Sequence, residues 1–325
     1  MGTREQKNTT TSGKIDLHHH FNAPGGRGQP DWTPEKAIGE MDAAGVELAM
    51  GWPGPVVAET VQAARDRARM LNEFGAKIVQ GRHKRFGLFA SPPPLTDVDG
   101  ALREIEYSLD VLKANGIGLI THYARSWLGD AAFEPVWNEL DRREAVVFVH
   151  PQGWAGACDC GILDYQAPHL SDAWLEYPFD TARTILHLMV TGTLRKHPRI
   201  KFVFCHGGGA FTPLIARLEG FSGWVTVGPE RMAELFPEGI TAEFRRLYFE
   251  CAQAYSPEQM ALLMSRVPVS QLLFGSDYDR FPLRHAVEQM DRLELSPEHR
   301  AAIESGNARR LLRLDSVDLP WVAQA

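Results

Sequence analysis

Residues 145–151, Ala-Val-Val-Phe-Val-His-Pro (AVVFVHP), form an unbroken apolar run stopped by a histidine and a proline. Such a run has the length of a strand buried on both faces, and the proline cannot continue a sheet interior. The pattern returns as KFVFCH at Lys201–His206 and QLLFGS at Gln271–Ser276. Working outward, further strand candidates are Lys14–His18, Val46–Gly51, Phe86–Ser91, Gly116–Thr121 and Arg246–Cys251, eight in all.

Between them lie segments with helical spacing. Thr33–Ala44 opens on a capping Thr33 followed by Pro34, and in Asp99–Ala114 the residues Ile105, Leu109 and Leu112 recur on one face. Ala132–Arg143, Asp180–Lys196 and Pro257–Ser265 read the same way. Pro297–Leu314, with Ala301, Ile303, Leu311 and Leu312 in a helical pattern, is expected to pack across the barrel. Eight rounds of strand and helix in about 300 residues predict an α/β fold of the (β/α)8 TIM-barrel type with a C-terminal helix. An open doubly wound sheet is the rival, but no Gly-x-Gly-x-x-Gly follows the first strand. The stretch Trp154–Tyr177, after the fifth strand, is too long for a bare connection and is expected to form a loop over the site. Residues 1–13 are read as a disordered tail and 14–325 as one domain.

Of the 325 residues, 44% are hydrophobic and 23% charged, enough for one large core. The net charge of -7 is spread along the chain without a Lys/Arg block that would neutralise phosphates, so nucleic acid is not an expected partner. No apolar stretch approaches the about 18 residues of a membrane span, and MGTREQKNTTTSG at the start holds no apolar secretion segment. The expected compartment is the cytoplasm, with no membrane partner. Cys158, Cys160, Cys205 and Cys251 are read as free thiols, because only the first two are clustered and no second pair stands at zinc-finger spacing.

In such a barrel, chemistry sits at the C-terminal ends of the strands. Here the first strand runs into His18-His19-His20, the fifth ends at His150, the sixth at His206 and the eighth at Asp277. One buried histidine is usually a satisfied packing residue, but four strand ends carrying such groups point to a site. Side chains alternate along a strand, so Ile15, Leu17, His19 and Phe21 are expected to face the helices, and Asp16, His18 and His20 the interior. His18, His20, His150 and Asp277 then make a mixed nitrogen and oxygen set for one divalent metal, with a position left for water or substrate. A metal-bound water falls from a pKa of roughly 15.7 to about 7, which supplies acid–base chemistry at neutral pH. His206 is placed to be either an extra ligand or a general acid/base, with the second role preferred. A dinuclear centre would want a bridging group such as a modified lysine on a middle strand, and Ile120-Thr121-His122 offers none.

Taken together, the His-x-His of the first strand, the His-Pro after the fifth, CHGGGAFTPLIARL at 205–218 and LLFGSDYDRFP at 272–282 resemble the amidohydrolase superfamily. Within it they look like the decarboxylase branch typified by 2-amino-3-carboxymuconate 6-semialdehyde decarboxylase. RFGLFASPPPLTDVDGALREIEYSLDVLKANGIGLITHY at 85–123 and WLGDAAFEPVWNELDRREAVVFVHP at 127–151 are similar to 6-methylsalicylate decarboxylases. The resemblance implies His18, His20, His150 and Asp277 as metal ligands and His206 as the catalytic histidine. It also implies non-oxidative decarboxylation without an organic cofactor, one zinc or manganese ion with zinc expected, and a homodimer. Two stretches fall outside the pattern: the 154–177 loop with Cys158 and Cys160, and THYARSW at 121–127.

For an ortho-hydroxybenzoate the hard step is placing a proton on the carbon that carries the carboxylate, which interrupts aromaticity before carbon dioxide leaves. The metal is expected to hold the carboxylate and the adjacent phenolate oxygen. Asp277 or the metal-bound water would deliver the proton, and His206 would stabilise or relay it. Arg125 is a candidate carboxylate contact through its guanidinium fork, and the aromatic residues near strand ends, Trp52, Tyr123, Trp127, Trp154, Tyr278 and Phe281, are candidates to bind a flat ring, with Tyr123, Trp154 and Phe281 preferred. The same ligands could serve a hydrolase that opens a lactone, ester or amide. A scaffold that keeps a metal only for structure fits poorly, since closed structural sites favour cysteine.

Overall fold

The computed structural model describes residues 13–23, 29–152, 171–225 and 227–314. Most of the expected N-terminal tail, and Trp154, Cys158 and Cys160, lie outside the described residues. Eight parallel strands follow one another in space in chain order: β1 (Lys14–His20), β2 (Val46–Trp52), β3 (Phe86–Ala90), β4 (Gly116–Ile120), β5 (Val146–His150), β6 (Lys201–Phe204), β7 (Tyr248–Glu250) and β8 (Leu272–Leu273). Beyond β8 the chain keeps bonding to β1, where Leu17 N–H donates to the Phe274 carbonyl at 2.9 Å and Asp277 N–H to the His18 carbonyl at 2.8 Å. These bonds bring the last strand round to the first, and the architecture is a (β/α)8 barrel.

The helices begin where the local chemistry says they should. In α1 (Pro34–Ala44) the Thr33 hydroxyl accepts from Lys36 N–H, Pro34 fills the first turn, and Gly45 closes the end at φ 69°. Helix α2 (Val61–Gly81) is capped by Thr60, and α3 (Val98–Glu106) by Asp97, whose carboxylate also takes Arg65 Nε at 2.6 Å. The expected helix 99–114 loosens into a π-turn at Tyr107–Val111. Further round are α4 (Glu134–Arg142), α5 (Glu176–Val190), α6 (Phe211–Gly220), α7 (Pro257–Arg266) and α8 (Leu283–Asp291). The expected helix 180–196 is interrupted at Gly192, and α5 starts at Glu176, inside the stretch assigned to the long loop.

Two apolar layers result. The outer one joins strand faces to helices through residues such as Phe21, Ala49, Phe86, Ile185 and Phe249. The inner one fills the barrel with Leu17, Met50, Phe89, Phe148, Val203 and Leu273. Phe89 and Phe148 stack across it at 5.3 Å and 11°, a pair worth about 0.5–1.5 kcal/mol beyond its buried area. The C-terminal helix α9 (Asn307–Leu312) sends Ala308 and Leu312 into this layer, and Arg309 pairs with Glu47 beside the start of β2. It therefore stoppers the N-terminal end, which leaves the opposite end open for chemistry.

The alternation expected along β1 is only half right. His18 and His20 do point inward and His19 and Phe21 outward, but Ile15 and Leu17 also belong to the inner layer. Asp16 instead holds Ser276 and reaches His19. The register against β2 shifts between Asp16 and His19, and this irregularity puts Leu17 and His18 on the same side.

Candidate active site

At the C-terminal ends of β1, β5 and β8 the donor atoms of His18, His20, His150 and Asp277 lie within 4.8 Å of one another. Asp277 Oδ1 is 3.3 Å from His18 Nε2 and 3.0 Å from His20 Nε2. Its second oxygen faces His206 Nε2 at 3.6 Å. His206 stands beside the set of four rather than in it, with its ring 5.2 Å from that of His18 and 6.0 Å from that of His150.

Two of the imidazoles have their other nitrogen committed. His18 Nδ1 is bound to Glu250 at 2.7 Å and His150 Nδ1 to the Pro151 carbonyl at 2.6 Å. Each Nδ1 faces an acceptor on its outer side, so each Nε2 points inward, the orientation that metal-ligating histidines require. His18 Nε2 is buried without a hydrogen-bond partner. An orphaned buried nitrogen beside two more imidazoles and a carboxylate fits a divalent ion.

The charge balance agrees at Asp277, His20 and His150, while His18 carries a proton that an ion at Nε2 would displace. Burial disfavours the Asp277 carboxylate, yet His18, His20 and His206 more than offset this and hold it well below the usual carboxylate range. Burial pushes the His20 and His150 rings down, toward the neutral form that ligates. For His18 burial acts downward too, but Glu250 and Asp277 prevail and raise it to about 9. Cys205, which also nears His18 and Glu250, has its thiol pushed well up by burial and by Glu250, so it stays protonated.

Backbone strain marks the same place. His206 and Asp277 both adopt left-handed angles, φ 55° and 59°, at a cost of about 1–3 kcal/mol each. After His206 the chain turns through three glycines. A Cβ on Gly209 would lie 2.4 Å from the Pro178 carbonyl, so this glycine lets α5 approach the His206 turn.

A cavity of about 1020 Å³, bounded by the described residues, opens above the cluster. His20, His150, His206, Asp277 and Phe281 line it, so Phe281 stands where a ring could bind. Tyr123 does not: it is buried in the outer core against Phe133, its hydroxyl near Ile120 N–H. Arg125 is exposed between the short strands His122–Tyr123 and Ser126–Trp127, away from the described cavity wall. The short hairpin turns THYARSW back on itself, which the sequence did not signal. Trp154 lies outside the described residues.

Sequence reasoning missed Arg67, Arg280 and Trp174, which line the cavity, whereas Trp52, one of its aromatic candidates, does line it. It also missed Glu250, although a lone acid in the apolar run LYFEC was a signal. Asp180, wholly buried at the start of α5, accepts from Thr121 Oγ1 and from Gln152 N–H at 3.1 Å, fixing the turn after His150.

A (β/α)8 barrel whose strand ends gather three histidines and an aspartate beneath one cavity defines a metal-dependent barrel enzyme. A family model described as amidohydrolase matches residues 15–314. The chain belongs to the amidohydrolase family, in its decarboxylase branch. Decarboxylase yanB of Aspergillus niger is 33% identical over 294 residues, covering 83% of this chain and 78% of that protein. The 6-methylsalicylic acid decarboxylase of Penicillium expansum is 32% identical over 321 residues, covering 92% and 95%. A dihydroxybenzoic acid decarboxylase from a Polaromonas species, solved with manganese and 2-nitroresorcinol, shares the fold at TM-score 0.82 and 23% identity, over 95% of this chain and 99% of that one.

Proposed function

We propose that this chain is a non-oxidative carboxy-lyase that removes carbon dioxide from a small ortho-hydroxybenzoate-type acid such as a 6-methylsalicylate. The observation that carries the reading is Asp277, ionised, with one oxygen toward His18 and His20 and the other toward His206, at the floor of an aromatic-lined cavity. The decarboxylases to which the chain is similar support the reaction class.

His18, His20, His150 and Asp277 would hold one divalent ion, and this set of three imidazoles and one carboxylate fits zinc first and manganese second. When bound, the ion supplies charge neutralisation for the substrate carboxylate and phenolate and fixes the ring. His206 Nε2 and Asp277 Oδ2, 3.6 Å apart, form the proton path. His206 holds the proton and passes it to Asp277, which delivers it to the carbon bearing the carboxylate. Carbon–carbon cleavage then releases carbon dioxide, and the bonding pair restores the aromatic ring. Trp52 and Phe281 flank the flat substrate, and Arg280, ion-paired with Asp279 at 3.1 Å on the cavity wall, takes the anion contact that the sequence suggested for Arg125. The exposed Trp174, Leu175 and Phe179 at the head of α5 support a homodimer.

The test is incubation of metal-analysed protein with a panel of hydroxybenzoates in heavy water. Carbon dioxide release with deuterium at the vacated carbon is expected. If no acid loses carbon dioxide while lactones, esters or amides open, the same residues serve a hydrolase instead.

A further inference from the structure

Glu250, at the end of β7, is a fully buried carboxylate with no direct place in the four-residue set. Its Oε1 accepts from His18 Nδ1–H at 2.7 Å and from His206 N–H at 2.8 Å, and its Oε2 accepts from Ala252 N–H at 2.8 Å. The barrel is shaped around it. A Cβ on Gly275 would stand 1.9 Å from Oε2, so the glycine of FGSD leaves the room that this carboxylate occupies.

We propose that Glu250 is the positioning residue of the metal centre, holding His18 in the tautomer that presents Nε2 and gripping the His206 backbone through the same oxygen. The proposal rests on the metal-centre reading above. A buried carboxylate served by one ring N–H and two backbone N–H groups is the arrangement that orients a ligating imidazole and raises its basicity. The second bond adds a link between ligand and proton carrier. His206 sits in a left-handed conformation at φ 55°, and an ionised acceptor on its N–H holds that geometry against relaxation. Removing the carboxylate frees the His18 ring to flip its tautomer and removes an anchor of the His206 turn in one step.

The experiment is cobalt(II) titration of metal-free wild type, E250Q and E250D, by chelator competition and by the ligand-field spectrum, with thermal melts of the metal-free proteins as the folding control. E250Q is expected to melt cooperatively yet bind cobalt about 10- to 100-fold more weakly, with E250D recovering part of the loss. If E250Q does not fold, G275A, which crowds the carboxylate without removing it, is read by the same criterion. Affinity within about twofold of wild type in the folded variant overturns the proposal. An intense thiolate-to-cobalt charge-transfer band in wild type would overturn it differently, by making Cys205 and Glu250 ligands. If wild type binds no cobalt, the metal-centre reading itself falls and takes this proposal with it, a result distinct from wild type and E250Q binding alike.

Discussion

His18, His19 and His20 are adjacent in the chain but occupy unlike surroundings. His18 and His20 point into the donor cluster, while His19 packs against Tyr278 with ring centroids 4.8 Å apart and reaches Asp16 at 3.3 Å. Substituting His18 or His20 by alanine should abolish metal binding and carbon dioxide release together, as read by metal analysis and product assay. His19→Gln should leave the metal content unchanged and lower stability by about 1–3 kcal/mol in a denaturant titration, because it disturbs a buried polar pair. An emptied site in His19→Gln would sink this assignment. The identities of the inward histidines were legible from the chain, although alternation was an imperfect guide to them: the register shift in β1 carries Leu17 to the same side as His18. A strand's irregularity depends on its neighbours, so residue spacing alone does not encode it.

Elements transmit that order to the site. Helix α4 carries Glu139, which Arg142 and then Arg143 bind, drawing its carboxyl down from 4.5 to about 2, while Arg143 also reaches across to Asp110 beyond α3. A depressed acid adds stability that is complete above its unfolded value and vanishes as pH falls to the folded one. Wild type should therefore lose stability between about pH 4.5 and 2, and Glu139→Gln should show a shallower slope across that window in chemical-denaturation curves. On α5, Asp180 ties the ends of β4 and β5 through Thr121 and Gln152. Asp180→Ala should cost about 2–3 kcal/mol by leaving these donors unsatisfied, and should reduce turnover as the turn after His150 loosens. A variant as stable and as active as wild type would contradict this. Strands and helices themselves were largely readable, because apolar runs and caps such as Thr33 and Asp97 act within a few residues. The π-turn at Tyr107–Val111 and the break at Gly192 were not, since the pattern of apolar residues continues through both.

At the scale of the molecule, two apolar layers and a C-terminal stopper fill the barrel, so the fold is expected to persist when metal is removed. Removing metal with a chelator should leave the far-ultraviolet circular dichroism intact and lower the melting temperature. Free metal at 100 times its dissociation constant stabilises by about 2.7 kcal/mol, and restoring it should recover the shift. Collapse of the helical signal on chelation would instead mark the ion as a folding element. No helix among the described residues is long and apolar enough to cross a membrane.

The sequence alone determined the alternation of strand and helix, and it marked His18, His20, His150, His206 and Asp277 as candidates at one end of the barrel, because each is written as a polar residue closing an apolar run. Only the tertiary structure decided which groups surround them. Glu250 meets His18 from 232 positions away, Arg280 and Trp174 reach the cavity, and Tyr123 turns into the core. These follow from barrel closure and from the hairpin after β4. Closure joins segments far apart in the chain, and the hairpin, though local, turns Tyr123 into the core only when it packs against its neighbours.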